Sequence, residues 1–429
     1  MDMINSIYFE TYGCSANQNN TEIMKGLVRQ SGLELTDNIN IADILVLNTC
    51  IVKGKTEDKI ESRIKYFKKL KKPIIITGCM PDVRFKKLEK QKNIYLLSNR
   101  NIKQIINLIK SIQEKRYSID KFLIQTKEEK LIQPKIPQNK KIGITQISEG
   151  CFGNCSFCII KLAKGKLFSY TQNNIIKNIE NDLKSGAKEI WLTSQDNASY
   201  GQDRKKSELP DLLKKILELK YNFRLRIGMM NPENIFPILN ELIEIYKNEK
   251  IYKFLHMPIQ SGSDKILKSM NRKYKIKEAE LIIKKFREQI PNLSLATDLI
   301  AAFPGETESD FKQTLNLVQK IQPDTVNVSR FWAMQPTQAS KLKQIPVELS
   351  KQRAIELKKL HKEILKQKNQ KFIGWTGKIL VNEFKNKKFK ARNNSYKMIT
   401  LESDKDILGK FVNVKIKATE KNHFIGEVL

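Results

Sequence analysis

The sequence predicts an α/β protein in three parts: an N-terminal open parallel α/β sheet domain, a central partial (βα)6 barrel and a small C-terminal antiparallel β-barrel. Three observations carry this reading. Short apolar runs alternate with helix-patterned stretches from residue 4 to about 112; the alternation resumes beyond a charged stretch carrying Pro134 and Pro137; and past a long helical stretch near 348 to 370 only short strand-like runs follow. Strand, helix, strand in that order means parallel pairing, whereas consecutive short strands close into an antiparallel barrel. With 429 residues, 40% of them hydrophobic, the chain has room for two or three domains with cores of their own.

In the first domain, expected over 3–112, the strands are IYFETYG, ADILVLN, PIIITG and NIYLL. Helices are predicted near Asn17 to Gln30, Thr56 to Leu70, Arg84 to Lys90 and Ile102 to Ile112, and 113–136 reads as a linker. In the second, over 137–367, strands are predicted at 142–148, 189–195, 223–230, 254–260, 293–303 and 325–331. Helical patterns fall between them near 172–185, 208–220, 233–248, 263–290 in two pieces and 308–321. Six βα units make a partial barrel, with working loops at the carboxyl ends of its strands.

The last domain, 368–429, carries TGKILVNEF, KFKARNN, KMITLES, KFVNVKIKAT and HFIGEVL as strands. It holds 14 Lys plus Arg against 6 Asp plus Glu, with Phe384, Phe389 and Tyr396 interleaved. Small basic barrels with aromatics bind RNA by charge and stacking. Each of these aromatics suits an ordinary barrel core equally well.

All six cysteines fall into two sets of three. Cys151, Cys155 and Cys158 form C-x3-C-x2-C immediately after the first strand of the partial barrel, and Cys14, Cys50 and Cys79 each follow one of the first three strands of the amino-terminal domain. Parallel strands present their carboxyl ends along one edge, so three cysteines distant in sequence converge there. Cysteine thiolates hold iron-sulfur clusters, and a four-iron cubane with three protein ligands keeps one iron open. Structural zinc usually needs two ligand pairs, and no histidine lies near enough in sequence to complete such a site.

The amino terminus shows no basic stretch leading into an apolar one, and no run approaches the roughly 18 apolar residues of a membrane span. A cytoplasmic protein with no membrane partner is expected, its thiols kept free for metal. Net charge is +32, from 78 Lys plus Arg against 46 Asp plus Glu, which favours a polyanion and by default nucleic acid as partner. The abundance of Lys, Asn and Ile also fits an AT-rich coding sequence.

Longer motifs surround the cysteines: YGCSANQNNTE, VLNTCIVKGKTE and TGCMP in the first domain, then SEGCFGNCSFCIIKLAKGKLFSY, EIWLTSQDNASYG, RIGMMNP, FLHMPIQSGSDKILKSMNRKY, TDLIAAFPGETESDF and RFWAMQPTQASKLKQIP. With them the chain resembles the radical S-adenosylmethionine superfamily and, through the three upstream cysteines, its methylthiotransferase branch; the last domain is similar to the TRAM module. SQDNASYG and RIGMMNP most resemble the archaeal and eukaryotic enzymes acting on N6-threonylcarbamoyladenosine in tRNA.

The resemblance implies methylthiolation at C2 of that nucleoside, beside the anticodon of a tRNA substrate. An aromatic C–H is too weak an acid for His, Glu or Lys to deprotonate usefully, so a radical supplied by a cofactor is the available route. By resemblance the cofactors are two 4Fe-4S clusters and S-adenosylmethionine. The cluster on Cys151, Cys155 and Cys158 would bind S-adenosylmethionine and release the 5′-deoxyadenosyl radical, and the one on Cys14, Cys50 and Cys79 would carry the sulfur. An electron donor is implied without an identity, and no catalytic residue is assigned beyond the cluster ligands.

Carry-over along the second, fourth and fifth strands of the partial barrel nominates Ser194, Gln195, Gln260, Ser261 and Gly305 as cofactor-binding; a loop-capping hydrogen bond suits each polar one equally. His256, inside an apolar strand, reads as a satisfied core histidine rather than a ligand. The chain departs from the family pattern at Lys164, where Arg is usual, at Met334 to Thr337, where an Arg-Pro-Gly-Thr turn is usual, and at AAFPG in place of VGFPG. The same chemistry on isopentenyladenosine in tRNA or on a ribosomal protein aspartate is the alternative, and a non-enzymatic RNA-binding protein with zinc or redox-sensing cysteines a more distant one.

Overall fold

The computed structural model describes residues 4–51, 54–124, 126–420 and 423–429. Met3, at the expected start of the first domain, and Val52 and Lys53 of VLNTCIVKGKTE lie outside the described residues.

Strands with no polar face must be covered on both sides. ILVLNT and IIITG are buried at every position and form the middle of the first sheet. Its strands are β1 (Ser6–Thr11), β2 (Glu34–Leu35), β3 (Ile44–Thr49), β4 (Ile74–Gly78) and β5 (Ile94–Leu96), in the order β2-β1-β3-β4-β5, all parallel. Helices α1 (Ser15–Gln30), α2 (Gly54–Lys69), α3 (Cys79–Leu88) and α4 (Ile105–Gln113) alternate with them. Val46 and Ile75 pack with Val28 and Ile105 in one core, and Leu47 and Ile76 with Ile60 and Phe67 in the other. The two-residue edge strand β2 is too short to leave a pattern in the sequence. The register pairs Thr11 with Asn48 and Thr49 with Gly78, so the chain leaves β1, β3 and β4 along one edge.

The predicted linker is a strap laid along α1. It contains helix α5 (Ile119–Leu123), whose Phe122 is fully buried against the first core. Ile136 N donates to Glu22 O at 3.0 Å and Gln138 N to Glu22 Oε1 at 3.1 Å. A side chain at Gly26 would begin 2.1 Å from the Pro134 carbonyl oxygen, so only glycine allows this approach.

The central domain begins with β6 (Ile142–Gln146), β7 (Ser148–Glu149), α6 (Ile160–Lys164), β8 (Phe168–Ser169), α7 (Gln172–Lys184), β9 (Glu189–Thr193), α8 (Leu209–Leu217) and β10 (Arg224–Ile227). It continues through α9 (Pro232–Ile235), α10 (Leu239–Tyr246), β11 (Phe254–His256), α11 (Asp264–Ser269), α12 (Ile276–Gln289), β12 (Ser294–Ala301), α13 (Glu308–Ile321), β13 (Thr325–Arg330) and α14 (Val347–Gln370). Strands β6, β9 and β10 pair in parallel, as do β11, β12 and β13. The two three-stranded sheets approach where an isolated bridge links Leu225 of β10 to Ile251, three residues before β11, and side by side they make the partial barrel. Strands end before their predicted carboxyl limits, at Thr193 rather than 195 and at His256 rather than 260. The apolar pattern continues there because the following loops are themselves buried, as at Met257 and Ile259.

The last domain is a closed barrel of β14 (Thr376–Lys385), β15 (Lys388–Arg392), β16 (Met398–Leu401), β17 (Phe411–Glu420) and β18 (His423–Val428). It closes off the amino-terminal end of the partial barrel. Asn382 Nδ2 donates to Glu189 Oε2 at 2.6 Å, as does the Tyr252 hydroxyl at 3.0 Å, and Lys397 pairs with Asp324 at 2.8 Å. The Tyr396 ring lies 4.8 Å from that of Tyr252 and 4.9 Å from that of Phe254. This separates the three aromatics considered for RNA stacking: Phe389 is in the barrel core, Tyr396 is in the domain interface, and Phe384 is 54% exposed. Among the described residues no helix is long and apolar enough to cross a membrane.

Candidate functional site

Cys151, Cys155 and Cys158 lie on one loop after β7, held from outside itself. Ser156 N donates to Met270 O at 3.0 Å, its Oγ to Ser269 O at 2.8 Å, and Asn271 Nδ2 to Asn154 O at 2.7 Å, so the carboxyl end of α11 grips the loop. Arg272 Nη1 donates to Cys155 Sγ at 3.3 Å and Nη2 to Asn231 Oδ1 at 2.8 Å. Asn231 in turn donates through Nδ2 to Asp196 Oδ2 at 2.9 Å, and Asn234 Nδ2 reaches the same oxygen at 2.6 Å. This chain of bonds ties the loop to the carboxyl ends of β9 and β10. Burial raises the Asp196 carboxyl above the usual carboxylate range, against the pull of these bonds.

Cys14, Cys50 and Cys79 sit at the amino end of α1, just past β3 and at the first position of α3. Polar side chains lock their segments together. Asn17 Nδ2 donates to Tyr12 O at 2.9 Å and Thr49 O at 2.8 Å, Asn48 Nδ2 to Asn17 O at 2.8 Å, and Thr49 Oγ1 to Thr77 O at 2.5 Å. Gly13 adopts φ +123°, and a side chain there would meet Asn17 Nδ2 at 2.6 Å and Cys50 Cβ at 3.1 Å. The strand reading thus brings together three cysteines that share no local motif.

The two triads share a wall. Cys158 leads into α6, and Cys79 packs with Ile51, Ile159, Ala163 of α6 and Met334 in one buried cluster. Cys151 N donates to Gly165 O at 3.2 Å just past that helix. Ser15 Oγ lies 2.7 Å from Thr193 Oγ1, joining the sheet edge to the barrel mouth, and Arg84 Nη1 donates to Gln335 O at 2.8 Å. Two departures from the family pattern, Lys164 and Met334, therefore meet beside the sheet triad.

Lys164 is 0% exposed and its Nζ has no hydrogen-bond partner among the described residues. Burial pulls this amine down, whereas the sulfurs of Cys79 and Cys14 once ionised, then Glu149 and an ionised Cys50, carry it above its ordinary value. Burial pushes the Cys79 thiol up to about 12, Cys151 to about 12 with Asp196 adding, and Cys158 to about 11 with Cys155 adding. Such thiols keep their protons until a metal displaces them.

Among the described residues no three His, Cys, Asp or Glu side chains are placed to hold a single metal ion. A cubane makes no such demand, since each thiolate takes a different iron at a different corner. The all-thiol donor sets fit one. So does the cradle at Gly153, where an added Cβ would stand in contact with two of the thiols, 3.5 Å from Cys151 Sγ and 4.0 Å from Cys155 Sγ.

The nominated cofactor residues divide. Ser194 accepts from Asp196 N at 3.2 Å, with half-buried Gln195 beside it. Gln260 has φ 74° and bridges to Leu299 through its backbone. Ser261 is fully buried, accepts from Ser263 N at 3.2 Å and lies 3.5 Å from Thr314 Oγ1, so its hydroxyl caps a loop. Gly305 is exposed with φ +82° and open space where a side chain would start. His256 Nε2 lies 2.9 Å from Asp298 Oδ2, so it is paired as a satisfied histidine should be, though with a carboxylate that is itself partly exposed. Nothing in the sequence marks Arg272 and Asp196 for this role beyond their place in SDKILKSMNRKY and SQDNASYG.

Family models and known proteins match the chain over most of its length. A model described as Uncharacterized protein family UPF0004 matches residues 6–98, and the Radical SAM superfamily model matches 145–318. A probable threonylcarbamoyladenosine tRNA methylthiotransferase of Methanocaldococcus jannaschii is 37% identical, over 100% of this chain and 98% of that protein. The human threonylcarbamoyladenosine tRNA methylthiotransferase is 32% identical, over 99% of this chain and 74% of that protein. The solved radical S-adenosylmethionine methyltransferase TsrM from Kitasatospora setae, with cobalamin and a [4Fe-4S] cluster, superposes with TM-score 0.58 at 12% identity. The match covers 79% of this chain and 77% of that one, a likeness of fold.

Proposed function

The chain belongs to the radical S-adenosylmethionine methylthiotransferases, and from that premise we propose that Cys151, Cys155 and Cys158 hold the radical-forming [4Fe-4S] cluster and Cys14, Cys50 and Cys79 the sulfur-carrying one. Its activity is methylthiolation of tRNA at N6-threonylcarbamoyladenosine, with two 4Fe-4S clusters and S-adenosylmethionine as cofactors. The position modified is C2, and the compartment is the cytoplasm.

When bound, these cofactors supply one-electron chemistry at an unactivated C–H and a sulfur to put there. The protein's part is placement. Arg272 orients Cys155 and balances thiolate charge, while Asn231 and Asp196 hold Arg272 from the strand ends. Ser194, Gln195, Gln260 and Gly305 border the mouth in which S-adenosylmethionine is to bind, with Ser261 supporting the loop from behind. Phe152 and Trp332, 56% and 51% exposed, offer flat surfaces for bases of the anticodon loop.

The observation that carries this reading is the shared wall: one short helix, α6, packs against Cys79 of one triad and is flanked in the chain by Cys158 of the other and by Gly165, which accepts from Cys151 N, as suits a reaction that makes a radical and spends it beside a sulfur donor. Anaerobically reconstituted protein should hold about eight irons per chain, two cubanes, and with reductant and S-adenosylmethionine should convert threonylcarbamoyladenosine in tRNA to its 2-methylthio form. Mass spectrometry of the digested nucleosides reads the product. Methylthiolated isopentenyladenosine, or a modified ribosomal protein with unmodified tRNA, would refute the substrate; iron saturating near four per chain would refute the paired clusters.

A further inference from the structure

We propose that Lys164 is the counter-charge of the sulfur-carrying cluster, an ammonium delivered by the central barrel into a site built by the amino-terminal sheet. The inference rests on Cys14, Cys50 and Cys79 being that cluster's ligands.

It starts from a charge count in one buried place. Arg100, Lys130 and Lys164 surround a single carboxylate, Glu149, and the four side chains lie between the first domain, the strap and the central barrel. Glu149 is already engaged: Lys130 Nζ bonds Oε1, Gln146 Nε2 donates to the same atom at 3.0 Å, and Arg100 Nε lies 3.9 Å from Oε2. Lys130 also donates to Asn99 O at 2.5 Å. The Arg100 guanidinium is spent on the carbonyls of Lys164 and Lys166, each at 2.7 Å. Two of the three cations thus have partners, and Lys164 Nζ has no hydrogen bond.

A buried ammonium without a partner is among the costliest groups a fold can keep, and an apolar side chain of similar length would remove the cost. With Glu149 engaged by Lys130, Gln146 and Arg100, the groups left beside Lys164 are the sulfurs of the sheet triad, because Ala163, the residue before it on α6, packs against Cys79. They carry charge as iron ligands. The geometry suits the role: Lys164 ends α6, whose Ala163 packs against Cys79, while Arg100 from the first domain holds the Lys164 carbonyl and so fixes where the side chain starts. Cluster and ammonium complete each other across the domain boundary. A positive charge held there stabilises the more negative, reduced cluster.

The full-length C151A/C155A/C158A protein isolates the sheet site and should hold about four irons, one cubane. Adding K164M should lower the cluster's potential, so that at a poise that half-reduces the parent the reduced-to-oxidised ratio falls about tenfold, a 59 mV shift for a one-electron couple. K164R should restore it. Stripped of metal, K164M should melt at a higher temperature than the stripped parent, because the orphan charge is gone. This reversal between loaded and empty protein is one a merely structural lysine would not give. Loss of iron from folded K164M with retention in K164R would likewise support the proposal. An unchanged potential with full iron, or lowered stability of stripped K164M, would overturn it. A parent that binds no iron would instead overturn the assignment of Cys14, Cys50 and Cys79.

Discussion

The two cysteine sites are built in opposite ways. Cys151, Cys155 and Cys158 come from eight consecutive residues, and what steadies them is borrowed: the end of α11 grips the loop and Arg272 reaches Cys155. Cys14, Cys50 and Cys79 come from three strand ends, and what steadies them is the sheet itself, with Asn17, Asn48 and Thr49 stitching neighbouring segments. A loop site can be retuned by changing the residues around it, whereas a sheet-edge site moves only if the sheet moves. The difference suits the roles proposed for them, one site admitting a small cofactor and releasing its fragments, the other presenting one atom at a fixed spot.

The largest effects should separate the two chemically. Cys155→Ala should abolish reductive cleavage of S-adenosylmethionine, whereas Cys50→Ala should keep the cleavage and insert no sulfur. Assaying 5′-deoxyadenosine and methylthio nucleoside in the same reaction checks this, and equal loss of both products in a folded Cys50→Ala protein would end the division of labour.

The next effects separate them by support. Arg272→Met removes the charged donor to Cys155, an interaction of about 1.5–3 kcal/mol, so S-adenosylmethionine cleavage should fall about 10- to 100-fold while iron at the sheet site is retained. Asn17→Ala is its counterpart. It leaves the carbonyls of Tyr12 and Thr49 without their donor, at about 1–3 kcal/mol, and iron analysis should find the sheet cluster depleted and the loop cluster kept.

The smallest effect should touch neither site. Phe384→Ala removes an exposed ring on the basic terminal barrel, and tRNA binding should weaken by about 1–3 kcal/mol if a base stacks there, with iron content and S-adenosylmethionine cleavage unchanged. Titration of labelled tRNA at fixed salt measures it.

The same contrast explains what could be read in advance. C-x3-C-x2-C is visible in a line of text, and the other three cysteines are visible once each is seen to follow a strand. The order of the longer elements was legible because βα alternation leaves periodic marks, whereas β2, α5, β7, α6 and β8, of two to five residues each, are too short to leave one. Arg272 and Asn231 lie 41 residues apart, and nothing in their local pattern says that they meet. Lys164 could be noticed as a departure from a family pattern, but its lack of a partner follows only from α6 folding against α3 of another domain. Tyr396 misleads for the same reason: periodicity tells which side of a strand is apolar, not which domain covers it.

The terminal barrel has a role beyond the charge and aromatics that first marked it. With Asn382 on Glu189, Tyr396 between Tyr252 and Phe254, and Lys397 on Asp324, it is a stopper seated in the floor of the central barrel rather than a hand on a flexible arm. RNA bound there would be held at a set height below the mouth, and the nucleotide arriving at the reacting edge would then be selected by length, the rigid seat acting as a ruler.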